Sequence, residues 1–462
     1  FCVPYQPARK NTTMKFELTK EFLQEIIDKI DRQEFELIKT ELSELHNVDI
    51  AELIEELDEE YGKILFELFE DETSAEILVE LDEESREAVL EDLSSQEIAE
   101  DLIENLDSDD AADIIADLPS EKKVEVLSHI EDIEHASDIV DLLSYPENTA
   151  GGLMAKELIK VNEKWAVLRC VREMRKQAEE VDKVYTIYVV DDDDVLLGTL
   201  SLKKLLLTPE KTFITNIYNE KVFSVKANSD DEEVANIMEK YDLVVLPVVD
   251  DLNRLIGRIT IDDVVDVMKE EAMEDYNKAS GISEQVDASD NIVTLTRARL
   301  PWLLIGLMGG IMGAEVIGIF DIENNIELAF FTPLIAAMGG NVGVQSAAII
   351  VQGLASNNLG MDSLAQRLMK ELGVALLNGI ICSGLIMIIT SLIGYPNSIS
   401  FTVSISLMAV IIFAALFGTF IPLVLDKYKI DPALATGPFI TTVNDVLGLF
   451  IYFMIGKLFL NL

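Results

Sequence analysis

The chain has 462 residues, of which 49% are hydrophobic, and a formal net charge of −48. The charge is concentrated in residues 1–295, because the remainder holds only 7 Lys and Arg against 9 Asp and Glu. Such acidity argues against nucleic acid and anionic lipid surfaces as binding partners and favours cations.

Residues 21–145 are predicted to form an acidic domain of short helical repeats, preceded by an extension over 1–20 that does not resemble the start of a domain. Apolar anchors recur every 12 or 13 residues, at Leu57, Phe69, Leu81, Leu93, Leu106, Leu118 and Ile130. Most anchors have apolar residues three and four positions earlier, which is helical spacing. Each unit has room for about two helical turns and a connection, so pairs of units should stack as helical hairpins.

A β-rich pattern follows and occurs twice, which predicts two α/β modules over 146–207 and 208–265. Gly198 of the first copy aligns with Gly257 of the second, within stretches that match without a gap at an offset of 59 residues. Strand, turn, strand and helix therefore occur in the same order in both copies. This order resembles a tandem pair of CBS modules.

The resemblance to CBS modules implies one adenosyl site at most. In those modules an Asp in a T-x-x-D arrangement can hold a nucleotide ribose, and Thr260 to Asp263 fits that pattern. The first copy has Lys204 at the Asp position. ATP is accordingly a candidate ligand, with Asp263 as its ribose ligand.

The segment 266–295 is predicted to be an acidic connecting helix. Carboxylates at three- and four-residue spacing share helix faces in and just before it, at Asp263, Asp266, Glu270, Glu271, Glu274 and Asp275. Like charges at this spacing destabilise a helix by tenths of a kcal/mol per pair, roughly, and a bridging divalent cation relieves the repulsion. Oxygen ligands without nearby Cys or His favour Mg²⁺ or Ca²⁺ over softer metals.

Residues 296–462 are predicted to form an all-α domain of five membrane-spanning helices in lipid, over 300–320, 328–354, 372–394, 401–425 and 434–460. Basic residues flank the first span and occupy the loops after the second and fourth spans, at Arg297, Arg299, Arg367, Lys370, Lys427 and Lys429. The positive-inside rule therefore predicts cytosolic N-terminal domains and a C-terminus on the outside.

Polar residues in the second and fifth spans predict a water-lined path between them. A lone Asp in mid-membrane costs about 2.5–3.5 kcal/mol, so such residues usually face water or a partner. Asn341 and Gln345 share one helix face, and Thr441, Asn444 and Asp445 share another. Helix packing is an alternative role for Asn341 and Asn444. Glu315 of the first span either pairs with another helix or reaches the outer interface.

The complete pattern closely resembles the MgtE family of bacterial magnesium channels. The resemblance is carried by the acidic repeat, the CBS pair and the acidic helix, together with "YPENTAGGLM" (145–154), "PLIAAMGGNVGVQ" (333–345) and "DPALATGPFITTVNDVLGLFIYF" (431–453). It implies a homodimer in the bacterial inner (cytoplasmic) membrane. It also implies a pore lined by the second and fifth spans, with Asp445 at the ion path.

The resemblance also implies that the connecting helix is a plug whose carboxylates bind Mg²⁺ and help close the cytosolic mouth of the pore. The matching positions are Asp263, Asp266, Glu271, Glu274 and Asp275, with Asp431 at the pore entrance. The stretch "LDSDDAADIIADLP" (106–119) supplies Asp109, Asp110 and Asp113, without indicating which of them bridges. The expected function is Mg²⁺ influx through a channel that cytosolic Mg²⁺ closes, and no enzymatic activity is expected.

Three alternatives remain at this stage. A broader transporter of divalent cations such as Co²⁺ or Mn²⁺ would use the same oxygen ligands. A nucleotide sensor with a membrane anchor would not need five spans with polar faces. An intramembrane aspartyl hydrolase would need a second carboxylate near Asp445, and only Glu315 is available.

Overall fold

The structure is a computed structural model that describes Phe16, 18–178, Val181, 183–284, Val286, 291–320, 326–355, 363–435 and 437–460. The chain forms two compact units that divide between Met268 and Lys269. Most of the predicted extension over 1–20 lies outside the described residues.

Ten short helices begin the first unit, and the apolar spacing explains their length. They are α1 Lys20–Asp31, α2 Phe35–Leu42, α3 Asn47–Glu55, α4 Glu59–Phe66, α5 Asp71–Glu80, α6 Glu83–Asp92, α7 Ser95–Glu97, α8 Ser108–Asp117, α9 Ser120–His129 and α10 Ile133–Leu142. Irregular helical turns, Ile98–Leu102 and Ile103–Asn105, continue α7. The anchors Leu81, Leu118 and Ile130 are buried at the C-terminal ends of α5, α8 and α9. The predicted repeat of short helices is confirmed.

Alternate helices of the repeat pack on one another. Helix α3 contacts α5, α4 contacts α6, and α8 contacts α10. Their apolar faces form one continuous core, which also includes residues of the second CBS module such as Val248 and Ile259. The acidic faces of the helices therefore remain outside this core.

Two three-stranded sheets follow, each with a mixed order. They contain β1 Lys160–Asn162, β2 Ile187–Val190 and β3 Leu196–Leu200, then β4 Val225–Lys226, β5 Val245–Val249 and β6 Leu255–Thr260. The helices of this region are α11 Val167–Gln177, α12 Leu202–Leu207 and α13 Asp231–Tyr241. In both sheets the first pair of strands is parallel and the second pair is antiparallel.

The strand register confirms the duplication in detail. Val189 pairs with Gly198 in the first sheet, and Val248 pairs with Gly257 in the second. Each sheet has a register shift at the next residue, Val190 or Val249. A side chain at Gly257 would collide with Met154 and Ala155, so glycine permits the segment before β1 to cross this strand.

Helix α14, Ile261–Ser280, contains the boundary between the units, and five long helices follow it. These are α15 Ile292–Ile319, α16 Glu327–Ala355, α17 Leu364–Ile393, α18 Asn397–Lys427 and α19 Gly437–Leu460, and all five are long and apolar enough to cross a membrane. The predicted number of spans is confirmed. Helix α17 begins eight residues before the predicted span, because Ser363 and Gln366 form a capping box ahead of polar first turns.

Helix α18 packs against α16, α17 and α19, and glycines set its distance from α16. A side chain at Gly418 would collide with the backbone carbonyl of Gly343. A side chain at Gly343 would collide with Asn444 of α19. Since these contacts leave no room for a methyl group, α16 and α18 meet backbone to backbone at this level, and the Asn444 side chain of α19 packs against the other side of Gly343.

The contact between α16 and α18 predicts that Gly418→Ala destabilises the membrane unit by about 1–3 kcal/mol, because the added methyl group overpacks it. Gly384→Ala on α17 is the matched control, since a side chain there meets nothing within 4 Å. Thermal unfolding of the full-length protein in detergent compares the two variants. Equal stability of the two variants would contradict the close approach of α16 and α18.

Candidate functional site

A cavity of about 970 Å³ lies beside α19 in the second unit. Helix α19 contributes Thr441, Thr442 and Asp445 to its lining, and α15 contributes Arg299, apolar side chains and four glycines, namely Gly306, Gly309, Gly310 and Gly313. The residues Ser280 to Ile282, at the end of α14, close another side. The polar groups of the cavity therefore come largely from α19.

Asp445 also faces α16, at a position where that helix has no side chain. The carboxylate oxygen Oδ1 of Asp445 lies 3.6 Å from the place that a Cβ atom on Gly340 would occupy. The methyl group of Thr441 lies 3.2 Å from the same place. Among the described residues, no hydrogen bond or ion pair neutralises the Asp445 carboxylate. The apolar helix α19 thus carries a carboxylate that has no partner among the described residues.

The other predicted pore residues do not share this position. Asn444 is 1% exposed, packs against Gly343, and has no hydrogen-bond partner for either amide atom among the described residues. The rotation of about 100° per residue turns it away from the face of Asp445. Asn341 and Gln345 are exposed together on α16 and are not among the described residues that line the cavity. The structure therefore brings Thr441 and Asp445 together and separates Asn444 and Asn341 from them.

A second cluster of predicted site residues lies where α14 meets the start of α19. The Lys278 ammonium nitrogen Nζ lies 2.5 Å from Glu274 Oε1 and 2.7 Å from Asp431 Oδ2. Burial and the nearby Asp431 carboxylate raise the pKa of Asp275. Glycines at the junction permit the close contact, because a side chain at Gly437 would collide with the carbonyl of Ala279. Glu274, Asp275 and Asp431 are thus brought together, and their binding of Mg²⁺ stays a prediction.

Asp266 and Glu271 lie along α14 between this cluster and Asp263. Asp266 is exposed and Glu271 is half-buried.

The first unit contains a group of three carboxylates that the sequence did not single out as a set. Oxygen atoms of Asp107, Asp109 and Glu157 all lie within 4.8 Å of one another, a spacing that could hold a metal ion. Arg258 Nη2 lies 3.2 Å from Asp107 Oδ2, and its Nε donates to the backbone carbonyl of Glu157. Ser108 donates its hydroxyl to Glu157 at 2.9 Å.

Two further carboxylates of α8, Asp110 and Asp113, follow Asp109 of this group. Burial raises the pKa of Asp110 to about 7, with a further contribution from the Asp263 carboxylate. Burial raises the pKa of Asp113 to about 6, against the opposing effect of Arg86. The pKa of Asp109 is also raised, by burial and by Asp110. A divalent cation would relieve this repulsion, and carboxylate oxygens are the ligands that Mg²⁺ prefers.

Sequence reasoning missed Asp107, Glu157 and Arg258 because they belong to three different segments. Arg258 is in β6, 151 residues after Asp107, and Glu157 precedes β1. One sequence signal was available, since Asp107 precedes α8 at its N-cap position. That signal alone indicates helix capping and not a metal ligand.

Asp263 lies close to other carboxylates, among them Asp262 and Asp110, and next to Thr260. Its carboxylate accepts hydrogen bonds from the Thr260 hydroxyl at 2.7 Å and the Thr260 backbone N–H at 3.2 Å. Burial raises its pKa although these hydrogen bonds lower it. A cavity bounded by Tyr185, Tyr188 and Arg258 encloses about 10 Å³, which is room for a water molecule and not for a nucleotide. Asp263 does not line this cavity, so ATP at Asp263 stays a prediction.

The raised pKa values predict how the first unit responds to pH. A carboxyl whose pKa is raised stabilises the fold while it is neutral, and this stabilisation is lost as the pH rises through the folded pKa, about 7 for Asp110. We expect the full-length protein with EDTA to unfold at a temperature several degrees lower at about pH 7.5 than at about pH 5.5. Mg²⁺ should reverse most of this loss at the higher pH. Thermal unfolding in detergent measures both effects.

Asp110→Asn should reduce both the pH effect and the Mg²⁺ effect. Glu91→Gln, on the exposed surface of α6, is the matched control and should leave them unchanged. The same loss in both variants would contradict a local origin in the cluster.

These features define a class of protein: a multipass membrane protein with a helical-repeat domain and paired CBS domains that carry clustered carboxylates. Family models agree along the chain. Residues 332–455 match the model of the MgtE divalent cation transporters, 45–148 match the MgtE intracellular N domain, and 150–209 and 214–270 match the CBS domain. The chain belongs to the MgtE family.

Individual relatives are similar over most of the chain. The magnesium transporter MgtE of Thermus thermophilus is 38% identical over 324 residues, which cover 69% of this chain and 72% of the relative. The magnesium transporter MgtE of Bacillus subtilis is 34% identical over 69% of this chain and 71% of the relative. A crystal structure of the cytosolic domain of the Mg²⁺ channel MgtE in complex with ATP is 34% identical and covers 53% of this chain and 98% of that chain, with a TM-score of 0.48.

Proposed function

We propose that this protein conducts Mg²⁺ into the cell through a channel that cytosolic Mg²⁺ closes. The observation that carries the proposal is the Asp445 carboxylate, which has no partner among the described residues and lines a cavity of about 970 Å³ within an apolar five-helix unit. Its curated relatives are magnesium transporters, which supports Mg²⁺ as the transported ion.

The chemistry of the cavity suits a hydrated cation. Mg²⁺ gives up its water ligands reluctantly and is often bound through one or two carboxylates and several waters. A single carboxylate beside the Thr441 and Thr442 hydroxyls offers charge and hydrogen-bond acceptors to such a water shell. In a homodimer, two copies of Asp445 near one axis would double the charge along the path. Asn341 and Gln345 are exposed in one chain and would face the partner subunit or the path.

Topology supports transport into the cytosol of a bacterium. Five spans place the two ends of the membrane unit on opposite sides. Basic residues lie in the first two turns of α17, at Arg367 and Lys370, and at the end of α18, at Lys427. The positive-inside rule then assigns the N-terminal domains to the cytosol and the C-terminus to the outside of the inner membrane.

Closure by Mg²⁺ follows from the distribution of carboxylates. In the first unit Asp110 of α8 and Asp263 of α14 repel each other when they are ionised, and in the second unit Asp275 of α14 and Asp431 do the same. Ions that bridge them stabilise the arrangement in which they are close. If that arrangement is the closed state, cytosolic Mg²⁺ shifts the population toward it by the difference between its affinities for the two states.

A broader divalent-cation transporter is the second candidate, because the family model describes divalent cation transporters and hard oxygen ligands also accept Mn²⁺ and Co²⁺. Flux measurements with each ion separate the two candidates. A preference for Mg²⁺ over Mn²⁺ and Co²⁺ supports the magnesium channel, and equal fluxes support the broader transporter.

Asp445→Asn is expected to lower Mg²⁺ flux by about tenfold or more, because the substitution removes the charge and keeps the shape. Influx into proteoliposomes that hold a Mg²⁺-sensitive dye measures the effect. The matched control is Glu315→Gln, which removes the exposed membrane carboxylate of α15 that is not among the described cavity residues. Equal flux in Asp445→Asn and the unaltered protein would move the ion path elsewhere.

Neutralisation of the plug helix should weaken closure. In the double variant Glu271→Gln/Asp275→Asn, we expect inhibition by cytosolic Mg²⁺ to need a severalfold higher concentration, because two carboxylates that favour the bound ion are lost. Single-channel or flux recordings with a controlled Mg²⁺ concentration on the cytosolic face measure the midpoint. Glu270→Gln removes an exposed carboxylate of the same helix and is the control. An unchanged midpoint in the double variant would refute this gating scheme.

A further inference from the structure

We propose that the Lys278 ammonium group is a built-in competitor for the divalent cation that Glu274 and Asp431 would otherwise bridge. The inference rests on the proposed closure by Mg²⁺ and assigns a residue that sets the concentration at which closure occurs. In the present arrangement the side chain itself supplies the cation between the two carboxylates.

The geometry identifies one cation position and its occupant. Lys278 Nζ is 2.5 Å from Glu274 Oε1 and 2.7 Å from Asp431 Oδ2, so two carboxylates from different segments converge on a single positive atom. Two convergent carboxylate oxygens are also what a hard divalent cation requires of a protein. The residues therefore fit the metal, and the metal and the ammonium group need the same oxygen atoms.

The surrounding structure holds this position in place. Lys278 follows Glu274 by one helical turn, and its side chain is only 27% exposed. Just beyond it, a side chain at Gly281 would come within 2.5 Å of Pro438, and a side chain at Gly437 would collide with Ala279. The end of α14 is thus fixed against the start of α19. Asp431, six residues before α19 begins at Gly437, stays within reach of α14.

The charge balance favours exchange of the lysine for a divalent ion. Asp275 lies near enough to interact with Asp431, Lys278 and Glu274, so three carboxylates share one ammonium group. Two negative charges remain uncompensated when all three are ionised. A divalent ion carries the additional charge that the cluster lacks, but it gains the two oxygens only after the lysine leaves them. Lys278 therefore raises the concentration of Mg²⁺ needed to fill the site.

A fluorescence titration tests this competition without relying on transport. Trp302 is close to the junction, since its Cβ atom lies 3.6 Å from the position of a Cβ on Gly281. The chain has 2 tryptophans, so a Trp165→Phe background leaves Trp302 as the only reporter. The full-length protein in detergent is titrated with Mg²⁺ after EDTA treatment, with and without Lys278→Gln.

Lys278→Gln should lower the Mg²⁺ midpoint by about fivefold or more, because the competing charge is gone. Lys278→Arg keeps the charge and can bind both carboxylates. Its Mg²⁺ midpoint should therefore equal or exceed that of the unaltered protein. The effect of Lys278→Gln should disappear when Asp431→Asn is also present, since the contested oxygen is then lost.

The outcomes separate this proposal from the proposed function. Suppose that the protein with Lys278 intact responds to Mg²⁺ and that Lys278→Gln has an unchanged or higher Mg²⁺ midpoint. The lysine then only holds the two carboxylates together, and only the competition is overturned. If no chain responds to Mg²⁺, closure by Mg²⁺ at this junction fails, and the competition fails with it. Lys278→Met is the second neutral variant, with thermal unfolding and gel filtration as checks of its folding. Loss of the folded protein in both neutral variants would also overturn competition.

Discussion

Mutual repulsion between carboxylates is the constraint to which most of this structure responds. The first unit places Asp107, Asp109 and Glu157 within 4.8 Å of one another, and burial raises the pKa of the neighbouring Asp110 to about 7. Such an arrangement persists in water only if protons, basic side chains or bound cations offset the repulsion. A region that needs an external cation to be stable is also a region whose conformation can report the concentration of that cation.

The two units balance their carboxylates with different basic residues. Arg258 is 6% exposed and binds both Asp107 and the backbone carbonyl of Glu157, so it is held in the first cluster by contacts to a side chain and to the main chain. Lys278 is a compact charge on a flexible stem and is held by side chains alone. Burial would lower its pKa, but hydrogen bonds to Asp431 and Glu274 outweigh that effect and raise it. A lysine of this kind stays charged and can still move away.

Sequence patterns predicted the elements well and the contacts between them poorly. The five spans follow from hydropathy, and the paired CBS modules follow from an alignment that the register of Val189 with Gly198 reproduces. The pairing of Arg258 with Asp107 could not be predicted, because 151 residues separate them and only packing brings them together. The sequence also could not predict which way the Asn444 side chain points. A rotation of one residue along the helix decides whether a side chain faces the cavity or Gly343.

The junction at Gly437 connects the two kinds of site in the second unit. The end of α14 contacts the first turn of α19, and Asp445 follows Pro438 by seven residues on the same helix, about two turns further along. Helix α19 packs closely on Gly340 and Gly343 of α16. The end of α14 contacts the start of α19, so under the proposed gating a change of cation between Glu274 and Asp431 would move α19. Asp445 would move with that helix. In this scheme the ion that closes the channel and the ion that passes through it act on the two ends of one rigid element, so no longer pathway of coupled residues is required.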